Sequence, residues 1–208
     1  MMPENNKKKP TSNVKDNILE EALKIFSKFG YQGTSTRMIA TAAEVNISAL
    51  HYYWGDKLSL YQASLIKANK RIHEMHKKVG EKIKSYSLEE KIDISVKLMT
   101  DFFLENPEYC SLILNALLID QTSESEINDE VNESVYKNLS EVVNILHFEI
   151  QTSKEQMLEL LATTYLFYNL VTGKTYFQRV LSLNDAEYKD YINDITKKRF
   201  MSIFGKED

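Results

Sequence analysis

"STRMIATAAEVNISALHYYWGDK", residues 35 to 57, decides how the chain is read. Thr34 or Ser35 is placed to cap a short helix, with Met38, Ile39 and Ala42 on its apolar side. Past Glu44 and Val45, Asn46 can cap a second short helix that Gly55 stops. Four ring-bearing residues then stand in a row: His51, Tyr52, Tyr53 and Trp54. At about 100° per residue they fan around a helix and cannot all face one core. With Leu50 turned inward, Trp54 lies about 40° from it and joins the core. Ile47 lies on the same side, although at the first turn it can splay outward. Ser48, His51 and Tyr52 fall roughly opposite, flanked by Ala49 and Tyr53. Packing of Tyr53 on a neighbouring helix stays open.

Upstream, "NVKDNILEEALKIFSKFG" (13–30) places Ile18, Ala22, Phe26 and Phe29 at helical spacing, with Gly30 as the expected terminator. Two short helices joined by a tight turn and braced by a third have the layout of a helix-turn-helix, whose second helix enters a major groove. The outward OH and NH groups could then donate to phosphate oxygens, and the ring edges could touch thymine methyls. Asp56 can cap the next helix. Lys57 at its start is an expected phosphate anchor, and Thr36 and Arg37 could reach the other edge of the groove.

Downstream, "SLEE" (87–90), "SKEQ" (153–156) and "NDAE" (184–187) read as capping boxes, and Asn106 before Pro107 as a cap with a first-turn proline. These starts predict helices near 57–79, 87–105, 107–118, 124–150, 154–181 and 185–204. No strand-like alternation competes with them. The expected fold is all-α with about nine helices: a flexible arm (1–12), a helix-turn-helix unit (13–56) and a helical bundle (57–208).

Residues 17–62, "NILEEALKIFSKFGYQGTSTRMIATAAEVNISALHYYWGDKLSLYQ", resemble the DNA-binding domain of TetR-family transcriptional regulators. The resemblance rests on Ala22 and Phe26 before Phe29–Gly30–Tyr31, on "TSTRMIATAAEV", and on Leu50, Tyr52, Trp54 and Lys57, all without a gap. It implies a DNA-facing set of Thr36, Ile47, Ser48, His51, Tyr52, Tyr53 and Lys57. Glu44 stands where the family often has Gly; a left-handed backbone there would cost about 1 kcal/mol. His51 replaces a frequent Tyr, and Trp54 a frequent Phe.

The resemblance also implies a C-terminal bundle that binds a small molecule and pairs two subunits through its last two helices. Leu158, Leu166, Tyr188, Tyr191, Ile192 and Ile195 are the expected homodimer contacts. Asn115, Tyr165, Tyr168, Asn169 and Thr172, polar groups in apolar runs, are candidate ligand contacts, with Phe102, Phe103, Tyr109 and Phe148 as apolar walls. The implied function is a ligand-responsive DNA-binding repressor, homodimeric on a palindromic operator and released by an unidentified small apolar effector. A nonspecific DNA-binding protein and a helical protein–protein module are the alternatives.

Composition narrows the rest. Of 208 residues, 43% are hydrophobic and only 6 are Gly and 3 Pro, which suits a mostly helical chain with a substantial core. The net charge is −4, but residues 1–84 carry 15 Lys and Arg against 8 Asp and Glu, and residues 85–208 carry 11 against 22. A basic first part joined to an acidic remainder suggests that one end alone meets a polyanion. With Cys110 as the one cysteine, an intrachain disulfide is excluded. No apolar run reaches a membrane span and no secretory signal is evident, so the cytoplasm is the expected compartment, with no membrane partner. His73 and His76 in "RIHEMH" are spaced three apart, not four, and have no evident third ligand. No cofactor, metal or catalytic motif is expected, and no enzyme activity.

Overall fold

The computed structural model describes residues 11–118 and 153–205, with Lys137 and Val142 between them. The described residues form nine helices and no strand: α1 (Thr11–Gly33), α2 (Thr36–Ala42), α3 (Ile47–Trp54), α4 (Lys57–Ile83), α5 (Leu88–Glu105), α6 (Pro107–Leu118), α7 (Lys154–Thr172), α8 (Lys174–Leu181) and α9 (Asp185–Phe204). Of the expected helix at 124–150, the described residues include only Lys137 and Val142, both helical.

The starts are set by side-chain caps, which satisfy amide groups that have no partner inside the helix. Ser35 accepts from the Met38 amide, Asn46 from Ala49 and Asp56 from Ser59. Ser87 with Glu90, Ser153 with Gln156 and Asn184 with Glu187 form reciprocal capping boxes. Two expected stops differ. Gly30 does leave helical geometry (φ 67°), but helical turns resume through Gly33. The single helix expected over 154–181 divides at Gly173. There the close approach of the Phe177 ring and the Asn169 carbonyl leaves no room for a Cβ, and the Gly173 amide donates back to the Asn169 carbonyl.

Three apolar clusters fill the interior. The first joins Ile18, Ala22 and Phe26 of α1 to Ile39 of α2 and Leu50 of α3. It runs on into Leu60, Tyr61 and Leu65 of α4 and Leu112 of α6, so the packing does not stop at residue 56. The second gathers Ile72, Met75 and Val79 of α4 with Phe103, Ile113, Phe167, Tyr168 and Ile192. The third joins Ile92, Val96, Leu160, Phe200 and Ile203 at the far end. Tyr109 of α6 packs against both the first and the second. Helix α4 carries buried residues from Leu60 to Ile83, so one rigid rod spans the first two clusters.

Candidate nucleic-acid interface

The turn between α2 and α3 is held from within and from α1. The Val45 amide donates to the Ala40 carbonyl (2.9 Å) and Glu44 to Thr41 (3.2 Å), while the Asn17 side-chain amide of α1 donates to the Ala43 carbonyl (2.9 Å). Glu44 is left-handed (φ 55°), so a non-glycine residue is strained at the turn.

On α3, Leu50 is fully buried and Trp54 is half-buried against the first cluster. The Trp54 indole N–H donates to the Lys15 carbonyl (3.3 Å), and the Lys15 ammonium sits 4.7 Å above its ring. Ile47, Ser48, His51 and Tyr52 are exposed, Tyr52 by 82%. Tyr53 is half-buried, packs on the first cluster and meets the Tyr52 ring edge-on at 5.1 Å. The His51 Nδ1 lies 2.7 Å from the Gly55 carbonyl oxygen. Gly55 itself has φ 72°, a conformation open to glycine and strained for other residues.

Lys57 does not stand free at the groove edge. Its ammonium donates to the Tyr31 (2.9 Å) and Thr34 (3.1 Å) carbonyls and lies 4.1 Å over the Tyr31 ring. Two of its donors therefore tie the start of α4 to the α1–α2 connection. Thr36 is half-buried and Arg37 exposed at the start of α2. Lys15 and Asn17 are contributors that the sequence reading missed. Their partners lie 39 and 26 residues away, beyond the reach of a local pattern.

The bundle redistributes the remaining candidates. The Asn115 amide donates to the Ser27 carbonyl (3.0 Å) and fastens α6 to α1. Asn169 and Thr172 are exposed, and each donates to its own helix, to the Tyr165 and Tyr168 carbonyls. Phe103 and Tyr168 are core side chains with ring centroids 5.5 Å apart, and burial pushes the Tyr168 phenol pKa up. Tyr165 is partly buried against the same cluster, and Tyr109 stacks on Phe102 at 5.8 Å. Phe102 also joins Met75, Val79 and Leu98 in the floor of a groove of about 320 Å³ between α4 and α5, rimmed by Arg71 and Lys78. Phe148 lies outside the described residues. Of the nine ligand candidates, the structure brings Phe102, Phe103, Tyr109, Tyr165 and Tyr168 together around one core and turns Asn115, Asn169 and Thr172 away from it.

The polar atoms that are left over inside the bundle belong to other residues. His76 is only 4% exposed, and neither of its ring nitrogens has a hydrogen-bond partner; Ser95 Oγ, Thr100 Oγ1 and Asn193 Oδ1 share that state. Burial, with a smaller contribution from the charge of His73, holds the His76 pKa down from 6.5 to about 4. Burial also raises the thiol pKa of Cys110 well above its usual range. Among the described residues no group of three or more His, Cys, Asp or Glu could hold a metal ion, and no helix is long and apolar enough to cross a membrane.

The expected dimer contacts divide in two. Tyr188 and Ile192 are buried within the subunit, and the Tyr188 hydroxyl donates to the Leu170 carbonyl (2.6 Å). Leu158, Leu166, Tyr191 and Ile195 are exposed, Leu158 by 67% and Tyr191 by 55%. A groove of about 360 Å³ runs beside them between α7 and α9, lined by Glu159, Ala162, Leu166, Arg199 and Ile203 among others.

Two short helices, a braced turn and an outward face of hydroxyl, imidazole and phenol groups define a helix-turn-helix module. Residues 18–64 match the model of the bacterial regulatory proteins of the tetR family. The match covers residues 18–64, so it is this N-terminal segment that is similar to the tetR family. The HTH-type transcriptional repressor NicS of Pseudomonas putida is 27% identical over 100 residues, which are 48% of this chain and 46% of NicS. The chain thus spans about half the length of that curated relative, or less. Two solved structures share the fold over most of their length. A TetR-like transcriptional regulator from Rhodococcus sp. RHA1 has a TM-score of 0.67 at 18% identity, covering 96% of this chain and 100% of that one. The transcriptional regulator FadR from Bacillus subtilis, solved in complex with stearoyl-CoA, has a TM-score of 0.64 at 15% identity, covering 92% and 99%.

Proposed function

We propose that the chain is a transcriptional repressor that binds a palindromic operator as a homodimer and is released by a small, largely apolar effector. The observation that carries the DNA-binding part is the exposed face of α3. Ser48, His51 and Tyr52 stand outward on a helix whose opposite side is anchored by Leu50. An exposed row of this kind on the second helix of a helix-turn-helix is placed to enter a major groove. The basic excess of residues 1–84 supports the same end of the chain as the one that meets phosphate.

Pairing is supported by Leu158, Leu166, Tyr191 and Ile195, which leave an apolar stripe unpartnered on the last long helices. Effector control is supported by the orphaned polar atoms of His76, Ser95, Thr100 and Asn193, since buried polar groups ordinarily have partners. The fold shared with a regulator crystallised with stearoyl-CoA favours an effector that is mostly apolar. Helix α4 would carry the signal, because it belongs to both the first and the second cluster. An effector acts only through a difference in affinity for two arrangements of the paired DNA units. The reading has no catalytic step, and such a regulator works where chromosomal DNA is, in the cytoplasm.

Selection of genomic fragments by the purified protein tests this. The expected result is an inverted repeat with half-site centres about 34–36 Å apart, or a multiple of one helical turn. Salt-sensitive binding without a repeat would mean a nonspecific DNA-binding protein. No salt-sensitive binding at all would favour a protein–protein module.

A further inference from the structure

We infer that His51 reads the exocyclic amine of a base, adenine N6 or cytosine N4, as a hydrogen-bond acceptor in the major groove. The inference rests on the DNA-binding reading above and gives it a chemical polarity. The His51 Nδ1 is 2.7 Å from the Gly55 carbonyl oxygen. A carbonyl oxygen can only accept, so Nδ1 carries the proton. In the neutral ring Nε2 is then a bare lone pair at the far end of an exposed side chain. The same bond fixes the ring orientation, and Gly55 at φ 72° holds the carbonyl that receives it.

The rest of α3 leaves this atom without a rival. Residues 47–54, "ISALHYYW", contain no Arg, Lys, Asn, Gln, Asp or Glu, so the familiar bidentate contacts to guanine and adenine are not available to them. The Ser48, Tyr52 and Tyr53 hydroxyls each donate and accept, so none imposes a polarity. The Trp54 indole N–H is already given to the Lys15 carbonyl. His51 is therefore the one side chain of α3 with a fixed and available polarity. A phosphate oxygen offers no proton to a lone pair, so the neutral ring has no bond to make with the DNA backbone. In the major groove the donors are adenine N6 and cytosine N4.

The test uses the operator found by selection, with single bases changed to analogues that lack one amine: purine for adenine, and 2-pyrimidinone for cytosine. Dissociation constants are measured at pH 8 and fixed salt for the full-length wild type and for His51→Ala. One position per half-site is expected where amine removal weakens the wild type roughly 3- to 10-fold and His51→Ala by less than about twofold. Any loss of base pairing in the DNA is common to both proteins and cancels. If His51→Ala does not fold, His51→Gln, whose side-chain oxygen also accepts, is expected to keep the sensitivity. Absence of any amine sensitivity coupled to residue 51 overturns the inference. So does coupling to guanine N7, read with 7-deazaguanine, because the ring would then be a donor. A wild type that prefers no sequence overturns the regulator reading itself, a result distinct from sequence-specific binding that ignores the amines.

Discussion

Replacing His76 by Leu is expected to stabilise the protein and to flatten its response to mild acid. His76 sits on α4, 4% exposed, with both ring nitrogens unpartnered. At neutral pH the buried but unsatisfied ring costs about 1–3 kcal/mol that an apolar side chain of similar size does not. Acid adds to this cost. The pKa is 6.5 when the ring is free and about 4 in the folded chain. Above the free value neither state holds the proton, and no stability is lost. Between the two values the unfolded chain binds a proton that the folded chain refuses, so stability falls as the pH drops. Below about 4 both are protonated and the loss is complete, at about 3 kcal/mol. The carboxyl pKa values of Asp56, Glu90, Asp93 and Asp185, all held down by hydrogen bonds first, contribute stability that is lost as the pH falls through the free values of 4.5 for Glu90, inside the lower end of this window, and 3.8 for the three Asp, and on through their lower folded values; this loss is common to both proteins. Urea unfolding of wild type and His76→Leu at one protein concentration, at pH 7.5, 6, 5 and 4, gives the difference directly. Other histidines cancel in it. A gap between the two proteins that stays constant from pH 7.5 to 4 would refute the reasoning, as would a wild type more stable than the variant at pH 7.5. Either result would mean that the imidazole is solvated or paired inside the bundle.

Tyr52→Phe should weaken operator binding roughly 3- to 10-fold in gel-shift titration at fixed salt and leave the melting temperature unchanged, since the phenol is exposed and its ring contact survives. Lys57→Met should cost about 1–3 kcal/mol of stability, read by thermal unfolding, because two carbonyls lose a charged donor. An unchanged melting temperature with a shallower salt dependence of DNA binding would instead make Lys57 a phosphate contact. Leu166→Asp or Ile195→Glu should give monomers by light scattering, with a collapse of operator affinity; a dimer that persists in both variants places the interface elsewhere.

The helix starts were legible because a cap is a local event. Ser35, Asn46, Asp56, Ser87, Ser153 and Asn184 each bond an amide within three residues. The inward turn of Leu50 and the outward turn of Tyr52 were legible too, since helical geometry fixes the angle between them. What stayed hidden depends on distant partners. The carbonyls that hold Lys57 lie 26 and 23 residues upstream, and the one that holds Asn115 lies 88 residues away. On α9 Tyr188, Tyr191, Ile192 and Ile195 fall on one continuous arc of about 100°, so spacing alone did not tell the buried Tyr188 and Ile192 from the exposed Tyr191 and Ile195. Nor does sequence reveal that Gly173 sits under an aromatic ring, or that His76 is sealed inside while Asn169 is exposed.

The bond from Asn115 to the Ser27 carbonyl has a mechanical consequence. A body pinned along one rod can swivel freely about that rod. The helix-turn-helix unit is held along two, α4 in its own core and α6 against α1, where Leu112 enters the same cluster. Swivelling about either rod is blocked by the other. A body held on two rods can still rock, like a door hung on two rails. On the dimeric reading proposed above, motion within the bundle is expected to reach the DNA unit as tilt rather than twist, which would change how far apart two paired units stand while preserving the face each one presents.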